Sequence, residues 1–186
     1  MNSARHETSG SSATAPADAG TAPSWRRWLA VSVAVLVVDQ LTKALVQGAF
    51  QPGEELRITG FFSLVLAYNT GAAFSFLAGA GGWQRWFFTA IAVVASLVIA
   101  WLLKRGGSRI YCLGLAAILG GAIGNLVDRV LLGKVVDFLL FHYAGWFYPA
   151  FNVADSAITV GAGLIIIDSF RRRHPAARTV ESSGDP

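Results

Sequence analysis

Charged residues are sparse in this sequence, at 14% of 186 positions against 54% apolar ones, a balance that excludes an ordinary soluble domain and points to a membrane protein. Cys112 is the single cysteine, so no internal disulfide braces the fold, and its apolar neighbours make it a structural thiol. Histidine is almost as rare. His6, His142 and His174 lie far apart, no spacing of the H-E-x-x-H kind occurs, and neither a metal nor another cofactor is expected. No fixed-period repeat is present, which excludes a solenoid, and no linker is long enough to separate two domains.

What is abundant is apolar sequence in long runs. A spanning helix needs about 20 mostly apolar residues, because the hydrocarbon core is about 30 Å thick and each residue rises about 1.5 Å. Residues 28–46, 86–103, 111–127 and 154–170 meet that requirement. The net charge of +4 would suit nucleic acid, but the cations stand at the ends of the runs: Arg26 and Arg27, then Lys104, Arg105 and Arg109, then Arg171, Arg172 and Arg173. No nucleic-acid partner is expected. By the positive-inside rule these three places face the cytoplasm with both termini, and the loops at 47–84 and 128–153 lie outside. Residues 1–24 are rich in Ser, Ala, Thr and Gly without an apolar run, so they and residues 174–186 are expected to be disordered cytoplasmic tails around a membrane domain at 25–173. Small residues suited to cleavage precede the first apolar run, so that helix is expected to stay as an anchor.

The expected fold is an all-α membrane protein: a four-transmembrane-helix bundle with a small extracytoplasmic β element and an interfacial aromatic loop. The β element is expected at 54–68, where β-branched and aromatic residues partly alternate. Asn69-Thr70-Gly71 then supplies turn chemistry. The run 138–151 spreads Phe, His, Tyr and Trp around Gly145 and Pro149, a composition suited to the headgroup level. Gly120, Gly121 and Gly124 in the third span, with Gly161 and Gly163 in the fourth, let helix backbones approach closely.

An ionisable group inside a span costs about 2.5–3.5 kcal/mol near its centre, so each one needs a partner or a task. Asp39 and Lys43 are four residues apart on one face of the first span and can pair there; a purely structural pair remains an alternative. Asn125, Asp128 and Arg129 end the third span at the same depth. Asp137, inside Val135-Val136-Asp137-Phe138-Leu139, and Asp155, just after Asn152 at the start of the fourth span, belong at the outer boundary too. Apolar neighbours desolvate such a carboxylate and raise its pKa. Two in contact could share one proton, one acting as general base on water while the other polarises a carbonyl, as in aspartic proteases. Spacing alone leaves their contact open. Asp168, three residues before Arg171, reads as a local ion pair. A Ser-Lys dyad of Lys43 with Ser75 is a weaker alternative, since no local motif singles out that serine.

Taken together, VVDQLTK from Val37, YNTGAAFS from Tyr68, GGAIGNLVDR from Gly120, VVDF from Val135 and FNVADS from Phe151 resemble the lipoprotein signal peptidases, also called signal peptidase II. The five strings occur in order across nearly the whole membrane region. The resemblance implies an aspartic endopeptidase of the bacterial inner membrane that removes signal peptides from prolipoproteins, cutting before a cysteine that already carries diacylglycerol. Its partners would be those lipid-modified prolipoproteins and the membrane lipids; whether the chain works alone or as an oligomer stays open. Asp137 and Asp155 fall on the family's catalytic dyad. Asp39, Lys43, Asn69, Gly71, Gly121, Asn125, Asp128, Arg129, Phe151 and Asn152 fall on positions that shape the site or hold substrate. A small transporter would also place charges in the membrane, but its polar groups should cross the bilayer, and the cytoplasmic halves of these spans are almost wholly apolar. A non-enzymatic assembly protein is the other alternative, in which the polar pairs only fix helix packing.

Overall fold

The computed structural model describes residues 25–71 and 83–173; the expected tails and Ser75 lie outside them. Helices α1 (Trp25–Ala49), α2 (Trp83–Arg105), α3 (Arg109–Leu131) and α4 (Val153–Arg173) contain the four apolar runs. Each continues beyond its run by up to a turn, because aromatic and charged residues suited to the interface keep the backbone ladder intact. All four are long and apolar enough to cross a membrane. Ser108 caps α3, its hydroxyl accepting the Tyr111 N–H at 3.1 Å, which satisfies one of the free donors of that first turn.

Helix α3 runs through the middle of the bundle, packed by the other three, and large apolar side chains such as Leu45, Val94, Leu97 and Val160 face outward from α1, α2 and α4. Close approach comes from glycine. A methyl group on Gly114 would stand 2.7 Å from the Gly161 carbonyl oxygen, and one on Gly161 would stand 2.6 Å from that of Gly114. Backbone cannot yield as a side chain does, so Gly114→Val is expected to lower stability by roughly 1–3 kcal/mol, read as a reduced melting temperature in detergent. Gly163 differs from the packing expectation, since open space surrounds it. The Ser32 hydroxyl adds an interhelical hydrogen bond, donating to the Ala116 carbonyl at 2.9 Å.

Strands β1 (Glu55–Arg57), β2 (Phe62–Asn69), β3 (Val135–Tyr143) and β4 (Trp146–Phe147) form an antiparallel sheet in that order. The β element at 54–68 therefore exists, but its partner is the stretch read as an aromatic loop. A strand there is hard to read from sequence because Val136, Asp137 and Phe138 are all buried, so period-two alternation is lost. Ala144 and Gly145 both take positive φ, 49° and 84°, giving the two-residue hairpin turn whose twist matches the strands. Beyond β4, exposed Tyr148 leads to Phe151, which is bridged to Leu139. Val46, Leu66, Val136 and Phe138 form one buried cluster, with Val153 packed against it. That cluster fixes the sheet to the end of the bundle where α1 finishes and α4 begins.

Candidate functional site

Asn152 sits immediately before α4 and organises its first turn. Its side-chain oxygen accepts the Asp155 N–H at 2.9 Å, while Asp155 Oδ2 accepts the Asn152 N–H at 3.3 Å. This is the reciprocal pattern of a capping box, and it makes Asp155 both a helix-start residue and a fixed carboxylate. The other Asp155 oxygen accepts from the Asn125 amide nitrogen at 2.7 Å. Asp137 lies in β3 opposite Ala67. Its Oδ1 receives the Asn152 amide nitrogen at 2.8 Å, so one asparagine touches both carboxylate-bearing residues.

Asn69, at the far end of β2, accepts the Gly71 N–H on its side-chain Oδ1 at 2.8 Å, and its side chain also acts on Asp137, favouring the ionised carboxyl. Gly71 has φ 97°, and a Cβ there would lie 2.6 Å from the Phe88 ring, so only glycine brings this turn against α2. The Asp137 carboxyl is 3% exposed. Burial, then the neighbouring Asp155 charge, push its pKa from an ordinary value of 3.8 to about 7, against the opposing pull of Asn69, Asn152 and Lys43.

Beneath the pair, Lys43 is 2% exposed and spends all three ammonium protons: on Asp39 at 2.8 Å, Asp128 at 2.9 Å and Asn125 Oδ1 at 3.0 Å. Gln40 donates to Asp128 at 3.0 Å and lies 3.2 Å from Asp39. Gly121 faces the Ala154 carbonyl and Gly124 faces the Asp39 carboxylate, both too close to admit a side chain. Arg129 reaches back to the Asn125 carbonyl at 3.2 Å. It shares with Asn125, Asp155 and Phe88 a cavity of about 290 Å³ between α2, α3 and α4. Phe151 stacks on Phe141 with centroids 5.9 Å apart and, with Tyr148, Ser156 and Asp155, lines a second cavity of about 300 Å³.

The structure thus brings Asp39, Lys43, Asn125, Asp128, Asp137, Asn152 and Asp155 into one hydrogen-bonded network, with Asn69 beside Asp137. Gly71, Gly121, Arg129 and Phe151 form its walls. Asp168 is elsewhere, at the basic end. It pairs with Arg172 at 2.7 Å and accepts from Ser108; the expected partner Arg171 is one residue short of a full helical turn. The chain matches the family profile of signal peptidase (SPase) II over residues 31–171. It belongs to the signal peptidase II family.

Members of this family are aspartic peptidases that cleave signal peptides from prolipoproteins, and this chain is a multi-pass membrane protein with that activity. It is 57% identical over 162 residues to a lipoprotein signal peptidase of Paraburkholderia phytofirmans, covering 87% of this chain and 94% of the relative. It is 60% identical over 146 residues to one of Ralstonia nicotianae, covering 78% and 84%. Two solved bacterial membrane enzymes share the fold, each with a TM-score of 0.70. One, determined by the in meso method at 2.3 Å, is 26% identical, with 87% of this chain and 94% of that chain covered. The other, determined by the same method at 1.9 Å, is 29% identical, with 78% and 94% covered.

Sequence reasoning missed three polar contacts of this peptidase. Gln40 adjoins Asp39 in a span, and its polarity there was the available signal. Arg85 donates to the Arg129 and Val130 carbonyls at 2.8 and 2.7 Å, closing the C-terminal end of α3. His142 is not isolated among aromatics: its Nε2 lies 2.9 Å from the Ser63 hydroxyl, which donates to Glu55 at 2.6 Å. No local motif announces a relay across three strands.

Proposed function

We propose that Asp137 and Asp155 are the catalytic pair, and that the peptidase cuts before a diacylglyceryl-modified cysteine at the outer face of the bacterial inner membrane, with both termini cytoplasmic. The observation that carries this reading is the single asparagine, Asn152, that holds one buried carboxyl and caps the helix bearing the other. Asp137, with its pKa pushed up to about 7, keeps its proton below neutrality. Asp155 accepts hydrogen bonds from the Asn125 amide and the Asn152 N–H, which fix both of its oxygens and leave it the partner that acts as base. Asp155 takes a proton from water as the water oxygen attacks the scissile carbonyl carbon, and Asp137 gives its proton to the carbonyl oxygen. Collapse of the tetrahedral species breaks the C–N bond: one of its hydroxyls returns a proton to Asp137 as the C=O bond re-forms, and the leaving nitrogen receives the proton held by Asp155.

Direction in the membrane is supported by the cations Arg26, Arg27, Lys104, Arg105, Arg109, Arg171 and Arg172, all at the end of the bundle opposite the sheet. The exposed rings of Tyr143, Trp146, Phe147 and Tyr148 suit the outer headgroup level. Both cavities reaching Asp155 have largely apolar walls, which suits a substrate delivered within lipid. The reading is tested by incubating purified enzyme with a diacylglyceryl-modified prolipoprotein and with its unmodified form. Cleavage of only the modified protein is expected, and equal cleavage of both would contradict the lipid requirement.

The pH profile provides a second test. Asp137 must be protonated to act as the acid, so kcat/KM is expected to fall as pH rises through about 7. The Asn69 side chain favours the ionised form. Its loss in Asn69→Ala is expected to move that alkaline limb upward, and a downward or absent shift would refute the link.

A further inference from the structure

Asp39 and Asp128 stand on different helices, α1 and α3, yet they make equivalent contacts. Asp39 Oδ1 accepts the Ala154 N–H at 2.8 Å, and Ala154 immediately precedes Asp155. Asp128 Oδ2 accepts the Val136 N–H at 3.1 Å, and Val136 immediately precedes Asp137. Lys43 joins the two acceptors, bonding their other or shared oxygens at 2.8 and 2.9 Å. Its third proton goes to Asn125 Oδ1, and the nitrogen of that same amide holds Asp155.

We propose that Lys43, Asp39 and Asp128 are a positioning unit that sets the separation of the two proposed catalytic aspartates by clamping the backbone amide just before each. The proposal rests on Asp137 and Asp155 being the catalytic pair. Those two residues lie on a strand and a helix whose covalent link is the long 144–152 connection; the Leu139–Phe151 pairing and the Asn152 amide tie β3 to the start of α4, and the Asp39 and Asp128 bonds anchor both to α1 and α3. Apolar packing of Val46, Leu66, Val136 and Phe138 holds the sheet on the bundle but has little directional preference. Hydrogen bonds to ionised acceptors are directional and roughly twice as strong as neutral ones. Stability alone is a poor reason for burying three charges, since well-packed apolar residues commonly do as well. What apolar residues cannot do is hold two amides from different elements at a set distance. Gln40, donating to Asp128 and lying beside Asp39, completes the coordination without entering the pair.

The test compares Asp39→Asn, Asp39→Leu, Asp128→Asn and Asp128→Leu in full-length purified enzyme, with Asp137→Asn as control, using a diacylglyceryl-modified prolipoprotein peptide. Asn retains an acceptor for the amide and Leu does not. The Leu variants are expected to lose about 100-fold in kcat, the usual cost of an ångström of misplacement, with KM nearly unchanged, and the Asn variants to recover most of that loss. Measurements refer to the folded fraction, counted by size-exclusion chromatography and thermal unfolding. Leu variants with wild-type kcat beside an inactive Asp137→Asn overturn the positioning unit alone; cleavage by Asp137→Asn overturns the catalytic assignment beneath it. Where a Leu variant does not fold, its Asn counterpart decides: near-normal kcat supports the clamp, and a folded Asn variant as inactive as Asp137→Asn overturns it.

Discussion

Asp137→Asn and Asp155→Asn are each expected to lower cleavage of a lipid-modified prolipoprotein by roughly 10⁴-fold, the scale on which groups acting as a unit fail together. The amide has nearly the carboxyl's volume, so packing survives while proton transfer does not. At Asp155 the substituted group cannot take the proton from water. At Asp137 it cannot give one to the carbonyl oxygen. The two variants should therefore be inactive with normal membrane insertion, and the double variant should be scarcely worse than either. Residual turnover within 10-fold of wild type in either would remove that residue from the pair.

Stability gives Asp137→Asn a second signature. Between 3.8 and about 7 the folded protein keeps a proton on Asp137 that the unfolded chain has released. Rising pH through that window therefore works against folding, and the penalty is fully present above it. Asp137→Asn carries no ionisable group there, so it is expected to melt higher than wild type near and above neutrality while having no activity. A melting temperature below wild type at pH 8 would contradict the buried, proton-retaining state of this carboxyl.

The second large effect is expected at Asn152, which is fully buried. Asn152→Ala removes the acceptor that caps α4, costing about 1 kcal/mol, and leaves buried partners unpaired at roughly 1–3 kcal/mol more. It also frees Asp137 from its 2.8 Å donor, so kcat is expected to fall at least about 100-fold. Asn152→Asp separates the two tasks. Aspartate caps a helix as well as asparagine, so the melting temperature should recover in part. Activity should not recover, because a third carboxylate replaces the donor between two others. Recovery of activity together with stability would show that Asn152 serves the fold only.

Much of the candidate site is legible in sequence as anomaly. Asp39, Lys43, Asn125 and Asp128 stand out because lipid makes each polar group inside or beside a span expensive. Asp137 stands out because it interrupts four large apolar residues. Who bonds whom is not legible, since an i to i+4 rule reaches only one helix. It correctly joins Asp39 to Lys43, but the contacts from Asp39 to Ala154 and from Asp128 to Val136 cross 115 and 8 residues of chain. Strand β3 is hidden by the burial that makes it useful, because both its faces are covered at Val136 and Asp137 and alternation disappears.

The sequence by itself determined the membrane class and the four spans, because about 30 Å of hydrocarbon accepts few alternatives to 20 apolar residues in a helix. Charge placement determined which ends of the helices are alike. Tertiary structure alone decided that Lys43 is shared between Asp39 and Asp128, that Asn152 reaches Asp137 and caps the helix of Asp155, and that the aromatic run becomes a strand and hairpin. Those choices depend on where separate elements meet. Close approach to the bare backbone at Gly114, Gly121, Gly124 and Gly161 sets that meeting, and no periodicity within one element records it.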